Sequence, residues 1–111
     1  MKLSNLPEKA IDWSEISPTV TPGAAGAAKI RAVRTNDVQL RVVEYGPGYL
    51  ADHWCAKGHI LYVISGALRI EHQDGKETYE LSAGMSWRSA DGEGSPHRVR
   101  STDGATVFIV D

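Results

Sequence analysis

From residue 28 onward, short runs of β-branched and aromatic residues alternate with Gly, Asp, Asn and Pro. That rhythm belongs to an all-β protein. The runs predict strands at Ala28–Arg34, Val38–Tyr45, Leu50–Cys55, His59–Ser65, Ala67–Gln73, Lys76–Leu81, Met85–Ser89, His97–Ser101 and Ala105–Val110. Alternation sets Val38, Leu40 and Val42 against Gln39 and Arg41, and Leu68 and Ile70 against Arg69 and Glu71, so one face of each strand is expected in the core. Asp74-Gly75 between two such runs is a hairpin signal, because a type I′ turn needs positive φ at both central residues. Turns are expected at Thr35-Asn36-Asp37, Gly46-Pro47-Gly48, Lys57-Gly58, Gly66 and Ala83-Gly84, with a longer loop from Ala90 to Pro96. No helix-length segment separates the strands, which favours an antiparallel barrel or sandwich over βαβ units.

Residues 1–27 read differently. They carry Pro7, Pro18 and Pro22, a weak helical tendency around Glu8 to Ile16, and the small-residue tract Gly23 to Ala27. This stretch is expected to be an arm that packs on the barrel, or on a partner, and residues 28–111 to be one barrel domain.

Composition narrows the function. Twelve Lys and Arg against fourteen Asp and Glu leave a net charge of −2 with the signs interspersed, which argues against nucleic acid or an anionic membrane as the main partner. The apolar runs have strand length and fall short of a membrane span. The single cysteine, Cys55, has no intrachain partner, and the start of the chain does not read as a signal peptide, so a reducing cytoplasm is expected.

The chemistry gathers between Gly48 and Gly66. On a strand, His53 and Cys55 lie two apart and share a face, and after Lys57-Gly58 turns the chain, His59 opens the next strand nearby. Thiolate with imidazole suits zinc, iron, nickel or copper, with zinc, iron or nickel the leading candidates, whereas magnesium and calcium prefer oxygen. Two other readings stay open: a buried thiol between two hydrogen-bonded imidazoles, and a His-only site with Cys55 close by.

With these residues in place, the chain resembles the cupin superfamily, whose first motif runs from a Gly through His-x-His and a Glu to a second Gly. His53 holds the first ligand position, Cys55 stands where the second His would be, His59 where the Glu would be, and Gly66 closes the motif. The run Asp52-His53-Trp54-Cys55 through His59 is similar to a small subfamily labelled for its Asp-His-Cys-Trp (DHCW) motif. The likeness extends through Ile11-Asp12-Trp13, Val42 to Tyr45, Gly84 to Trp87, Ser95 to Arg98 and Phe108 to Asp111. It implies a jelly-roll barrel, the double-stranded β-helix, with His97 as the ligand from the second motif.

Around such a site, Glu44 and Asp52 are expected to accept hydrogen bonds from ligand imidazoles or to be solvated. Tyr62 and Trp87 are expected to fill the barrel, and Trp54 to pack. His72 is read as structural. Arg41 and Arg98 are read as solvated strand-face residues, with carboxylate binding the lesser reading. The function expected is metal binding with a small-molecule ligand, an anion or sugar-like compound, in a cytoplasmic homodimer. The alternative is a metal-dependent oxygenase or isomerase.

Overall fold

Among the described residues nine strands carry the fold, and the only helical element is one 3-10 turn, Trp13–Glu15, capped by Asp12 accepting from the Ser14 amide. The computed structural model describes residues 3–35, 37–92 and 94–111. Asn36 of the expected turn and Glu93 of the expected long loop therefore lie outside the described residues. The strands are β1 (Thr19–Pro22), β2 (Ala27–Thr35), β3 (Val38–Tyr45), β4 (Tyr49–Leu50), β5 (His59–His72), β6 (Thr78–Ser82), β7 (Ser86–Ser89), β8 (His97–Ser101) and β9 (Ala105–Val110). All pairings are antiparallel. One layer runs β1-β2-β3-β9-β5-β7, and the facing layer is β4-β8-β5-β6.

β5 belongs to both layers. Its first half pairs with β7 and β9, its second half with β6 and β8, and the register slips between Val63 and Ser65. An added residue reverses which side chains face inward. Hence Leu61 and Val63 are buried before the slip, and Leu68 and Ile70 after it. Gly66 sits at this corner with φ 78°, and a Cβ there would lie 2.3 Å from the Gly104 carbonyl oxygen. The break expected at Gly66 is thus a bend within one long strand.

The core between the layers is Ala28, Val43, Leu61, Val63, Leu68, Ile70, Leu81, Ala105, Val107 and Ile109. β9 shows the strict alternation, with Ala105, Val107 and Ile109 buried. In β3 the expected inward phase does not hold: Val38 is buried, but the unbroken pairing puts it on the same face as Leu40 and Val42. Val43 is the core residue of its second half, so Leu40 and Val42 take the outer face and Arg41 shares the inner row with Val43. The outer face is apolar because the arm crosses it: Trp13 meets Phe108 edge-on at 6.2 Å, and Arg31 Nε donates to the Ile16 carbonyl at 3.1 Å.

The arm also adds β1 to the edge of β2, with Thr19 opposite Ile30. Its small-residue tract is used for close approach. The Ala24 amide donates to the Leu50 carbonyl, and a Cβ on Gly23 would come within 2.2 Å of that same oxygen. The Asp74-Gly75 hairpin joins β5 to β6 as expected, yet only Gly75 has positive φ, at 72°, so the turn is not type I′. Its closing bond runs from the Gly75 amide to the His72 carbonyl.

Candidate metal centre

Three of the four residues expected to ligate meet at one end of the barrel. Cys55, His59 and His97 each offer a ligand atom, and these atoms lie within 4.8 Å of one another. His59 opens β5 in the row that continues into Leu61 and Val63, and His97 opens β8. Cys55 is held opposite His97 by two backbone bonds, its amide to the His97 carbonyl at 2.7 Å and the His97 amide to its carbonyl at 2.9 Å. Both bonds are exchanged between the two residues, which fixes their relative position.

His53 lies elsewhere, and the register explains why. β4 pairs Tyr49 with Ser101 and Leu50 with Arg100, and the Ala51 amide still reaches the Val99 carbonyl. Continued unbroken, that register would set His53 opposite His97. Instead Cys55 is opposite His97, so two residues bulge out and the strand expected over Leu50–Cys55 ends at Leu50. Arg98 stacks 4.2 Å over the Trp54 ring and pins the bulge. The His53 imidazole is left 75% exposed at the rim of the cavity, with Nδ1 donating to Asp52 at 2.7 Å. That bond holds the Asp52 carboxyl below its usual range.

The remaining expectations divide. Trp87 points inward, its ring 4.7 Å from that of His97. Tyr62 sits on the outer face and is 46% exposed. The row of β5 that holds His59 and Leu61 excludes it from the barrel. Glu44 also faces outward and pairs with Arg31 at 3.0 Å, so it reaches no imidazole of the site.

The carboxylate that does is Asp111. Its Oδ2 accepts from His59 Nδ1 at 3.0 Å and from Arg41 at 2.9 Å, and its side chain is 3% exposed. Because a carboxylate can only accept, His59 carries its proton on Nδ1 and presents Nε2 to the site. That nitrogen is 3.6 Å from Cys55 Sγ. The signal was in the sequence: Asp111 continues the inward row Ala105, Val107, Ile109 by one step.

The chemistry of the donors fits a divalent ion. Zinc bond lengths to sulfur and nitrogen in a tetrahedron imply an S···N edge of about 3.6 Å, which matches the Cys55–His59 separation. The Lys57 amide points at Cys55 Sγ from 3.4 Å, a donor suited to a thiolate. Burial lowers the pKa of both imidazoles. His59 is shifted down despite Asp111, and His97 is pushed down to about 4, with His59 and His72 adding to the desolvation. Both are neutral at pH 7 and free to ligate.

These groups line a cavity of about 150 Å³ with Arg41, Tyr45, Tyr49, Leu61, Ile70, Trp87, Val99 and Ile109. Tyr45 and Tyr49 pack with ring centroids 4.7 Å apart, and burial raises the pKa of both phenols. On the other side of His97 lies a polar recess of about 310 Å³ that includes His72, Lys76 and Glu77. There His72 Nδ1 donates to the Glu77 carbonyl.

Known structures share the two-layer antiparallel barrel. The polyketide cyclase RemF from Streptomyces resistomycificus superposes with a TM-score of 0.75 at 18% identity, over 94% of this chain and 78% of that one. A predicted oxalate decarboxylase from Thermotoga maritima gives 0.73 at 16%, over 92% and 96%. An RmlC-like cupin from Shewanella frigidimarina gives 0.70 at 17%, over 94% and 89%. No protein-family profile and no curated protein sequence matches the chain. The fold is the cupin jelly roll, the double-stranded β-helix.

Proposed function

We propose that the chain is a small metal-binding cupin, its ion held by Cys55, His59 and His97, with the adjoining cavity receiving a small molecule. The observation that carries this reading is the convergence of one thiol and two neutral imidazoles, with the Cys55–His59 distance equal to a tetrahedral edge. Asp111 orients His59, the Lys57 amide supports the thiolate, and Trp87 packs on His97. His53, backed by Asp52, is the fourth ligand, swinging in from the rim of the same cavity. A bound divalent ion supplies Lewis acidity and an acidified water. Zinc, iron and nickel all suit the donor set.

Elemental analysis of protein purified without chelators tests this reading. One ion per chain is expected, falling below a tenth in Cys55→Ser and His59→Ala. A metal content unaffected by either substitution would overturn it.

Binding, without turnover, is the favoured form of the activity, because the carboxylate usual in this motif is His59 here and the buried carboxylate beside it, Asp111, is committed to His59 and Arg41. The enzymatic alternative, an oxygenase or isomerase, predicts oxygen uptake by the iron(II)-loaded protein with a small thiol or catechol, abolished in His59→Ala. The DHCW subfamily is the narrower reading of the same residues. Cytoplasmic location and a homodimer complete the proposal. The row Ile60, Tyr62, Ile64, each nearly half exposed on the outer face of β5, supports self-association. Light scattering that finds a monomer at micromolar concentration would remove the dimer. No helix among the described residues is long and apolar enough to cross a membrane.

A further inference from the structure

The cavity is lined by a guanidinium, that of Arg41, whose five donors are not used up by the hydrogen bonds it makes among the described residues. Arg41 lies in the inward row of β3 beside Val43, with its side chain 20% exposed. One of its terminal nitrogens donates to Asp111 Oδ2 at 2.9 Å, but its Nε is sealed from solvent and has no hydrogen-bond partner. Asp111 Oδ1 is likewise buried and unpartnered. A guanidinium is a rigid fork of five donors that pairs bidentately with a carboxylate. Here the fork and its carboxylate meet through one bond instead of two. The single bond to Asp111 does not use up the fork, and the part of the Arg41 side chain that stays exposed lines the cavity, where an anion can reach it.

Arg98 does not compete for this role. It stacks on Trp54, and its Nε is bonded to Glu71. The rest of the lining near Arg41 is apolar or aromatic: Tyr45, Tyr49, Leu61, Ile109.

From this geometry we infer that Arg41 is the recognition residue for a small monocarboxylate with an apolar or aromatic body, bound in the cavity beside the ion. The inference rests on reading that cavity as the ligand site next to the metal, and it names the ligand's class. Charge selects a monoanion. A divalent ion with one thiolate, and Arg41 with Asp111, leave a single positive charge in the filled site. One carboxylate neutralises it, whereas a phosphate dianion would leave net negative charge against apolar walls. Shape selects a planar group, which the guanidinium fork matches. Size selects a compact molecule, since about 150 Å³ is the room of roughly five waters.

Benzoate is the probe, and benzamide, of the same shape without the charge, is its control. Both are titrated calorimetrically into the zinc-loaded full chain and into the zinc-free chain. Benzoate is expected to bind the loaded protein at least tenfold more tightly than benzamide, with a smaller preference in the zinc-free protein. Arg41→Lys keeps a charge for Asp111 but loses the fork. In that variant the preference is expected to fall to about threefold or less, with zinc content and melting temperature measured alongside for both proteins. Equal binding of the two probes, or a preference that survives in Arg41→Lys, would overturn the inference. Absence of zinc would show separately in the elemental analysis. In that event the zinc-free titration of wild type against Arg41→Lys still decides the role of Arg41.

Discussion

The two ends of the barrel interior are built on the same strands and the same inward rows, yet they differ in kind. In the middle and at one end, Val43, Val63, Leu68, Ile70 and Val107 pack with 3% exposure or less. At the other end those rows run into Arg41, His59, His97 and Asp111. The first end is stabilised by apolar burial and needs no partner. The second buries two imidazoles, a guanidinium and a carboxylate, and leaves two of their atoms unpaired. Perturbed and unpaired polar groups cluster at functional sites, so the proposed function separates stability and activity along the barrel axis.

The sharpest break in that comparison comes from the apolar end. Leu68→Ala removes a side chain that is 3% exposed and does not line the metal cavity. It should cost about 2–5 kcal/mol in urea unfolding, while the folded fraction keeps its zinc stoichiometry. Loss of metal from folded Leu68→Ala would contradict the separation. At the polar end, Asp111→Asn should lower metal affinity by about 10–100-fold in a chelator competition, because the bond that fixes the His59 tautomer is weakened.

The pH response distinguishes the ends as well. Unfolded histidines protonate near pH 6.5, whereas folded His97 resists protonation until about pH 4 and His59 is shifted in the same direction. Between those values the unfolded chain binds more protons. Metal-free protein should therefore hold its full stability above about pH 6.5 and lose it as the pH falls toward 4. Urea midpoints across that range should show this slope in wild type and a shallower one in His97→Gln. An unchanged slope in the variant would remove His97 as its cause. The smallest effect is expected from His53→Ala. With the imidazole already exposed at the rim, metal affinity should drop less than about tenfold, against a far larger drop in His59→Ala.

What could be read from the chain follows the same division. β3 begins and ends where the pattern places it, and Leu68 and Ile70 are buried as their alternation requires. The inward phase of β3 was misleading because Trp13 and Phe108 make its outer face apolar too, so Val42 and Val43 offer equal hydrophobicity to both sides. Arg41 was accordingly assigned to water. His53 was grouped with Cys55 by a period of two that assumes a regular strand, and the bulge over 52–54 is a register event set by β8, not by local sequence. Tyr62, expected to fill the barrel, sits at an even position in β5 that opposes Leu61 and Val63. The meeting of Cys55, His59 and His97 is legible through the spacing of the motif the chain resembles, and Asp111 through the alternation of β9 carried one residue further.

The central claim is that Cys55, His59 and His97 bind a single ion, and cobalt(II) substitution tests it most directly. Titration of the metal-free full chain should saturate at one cobalt per chain with a thiolate-to-cobalt charge-transfer absorption, and that absorption should vanish in Cys55→Ser. Saturation without the thiolate band, or a band that persists in Cys55→Ser, would contradict the account.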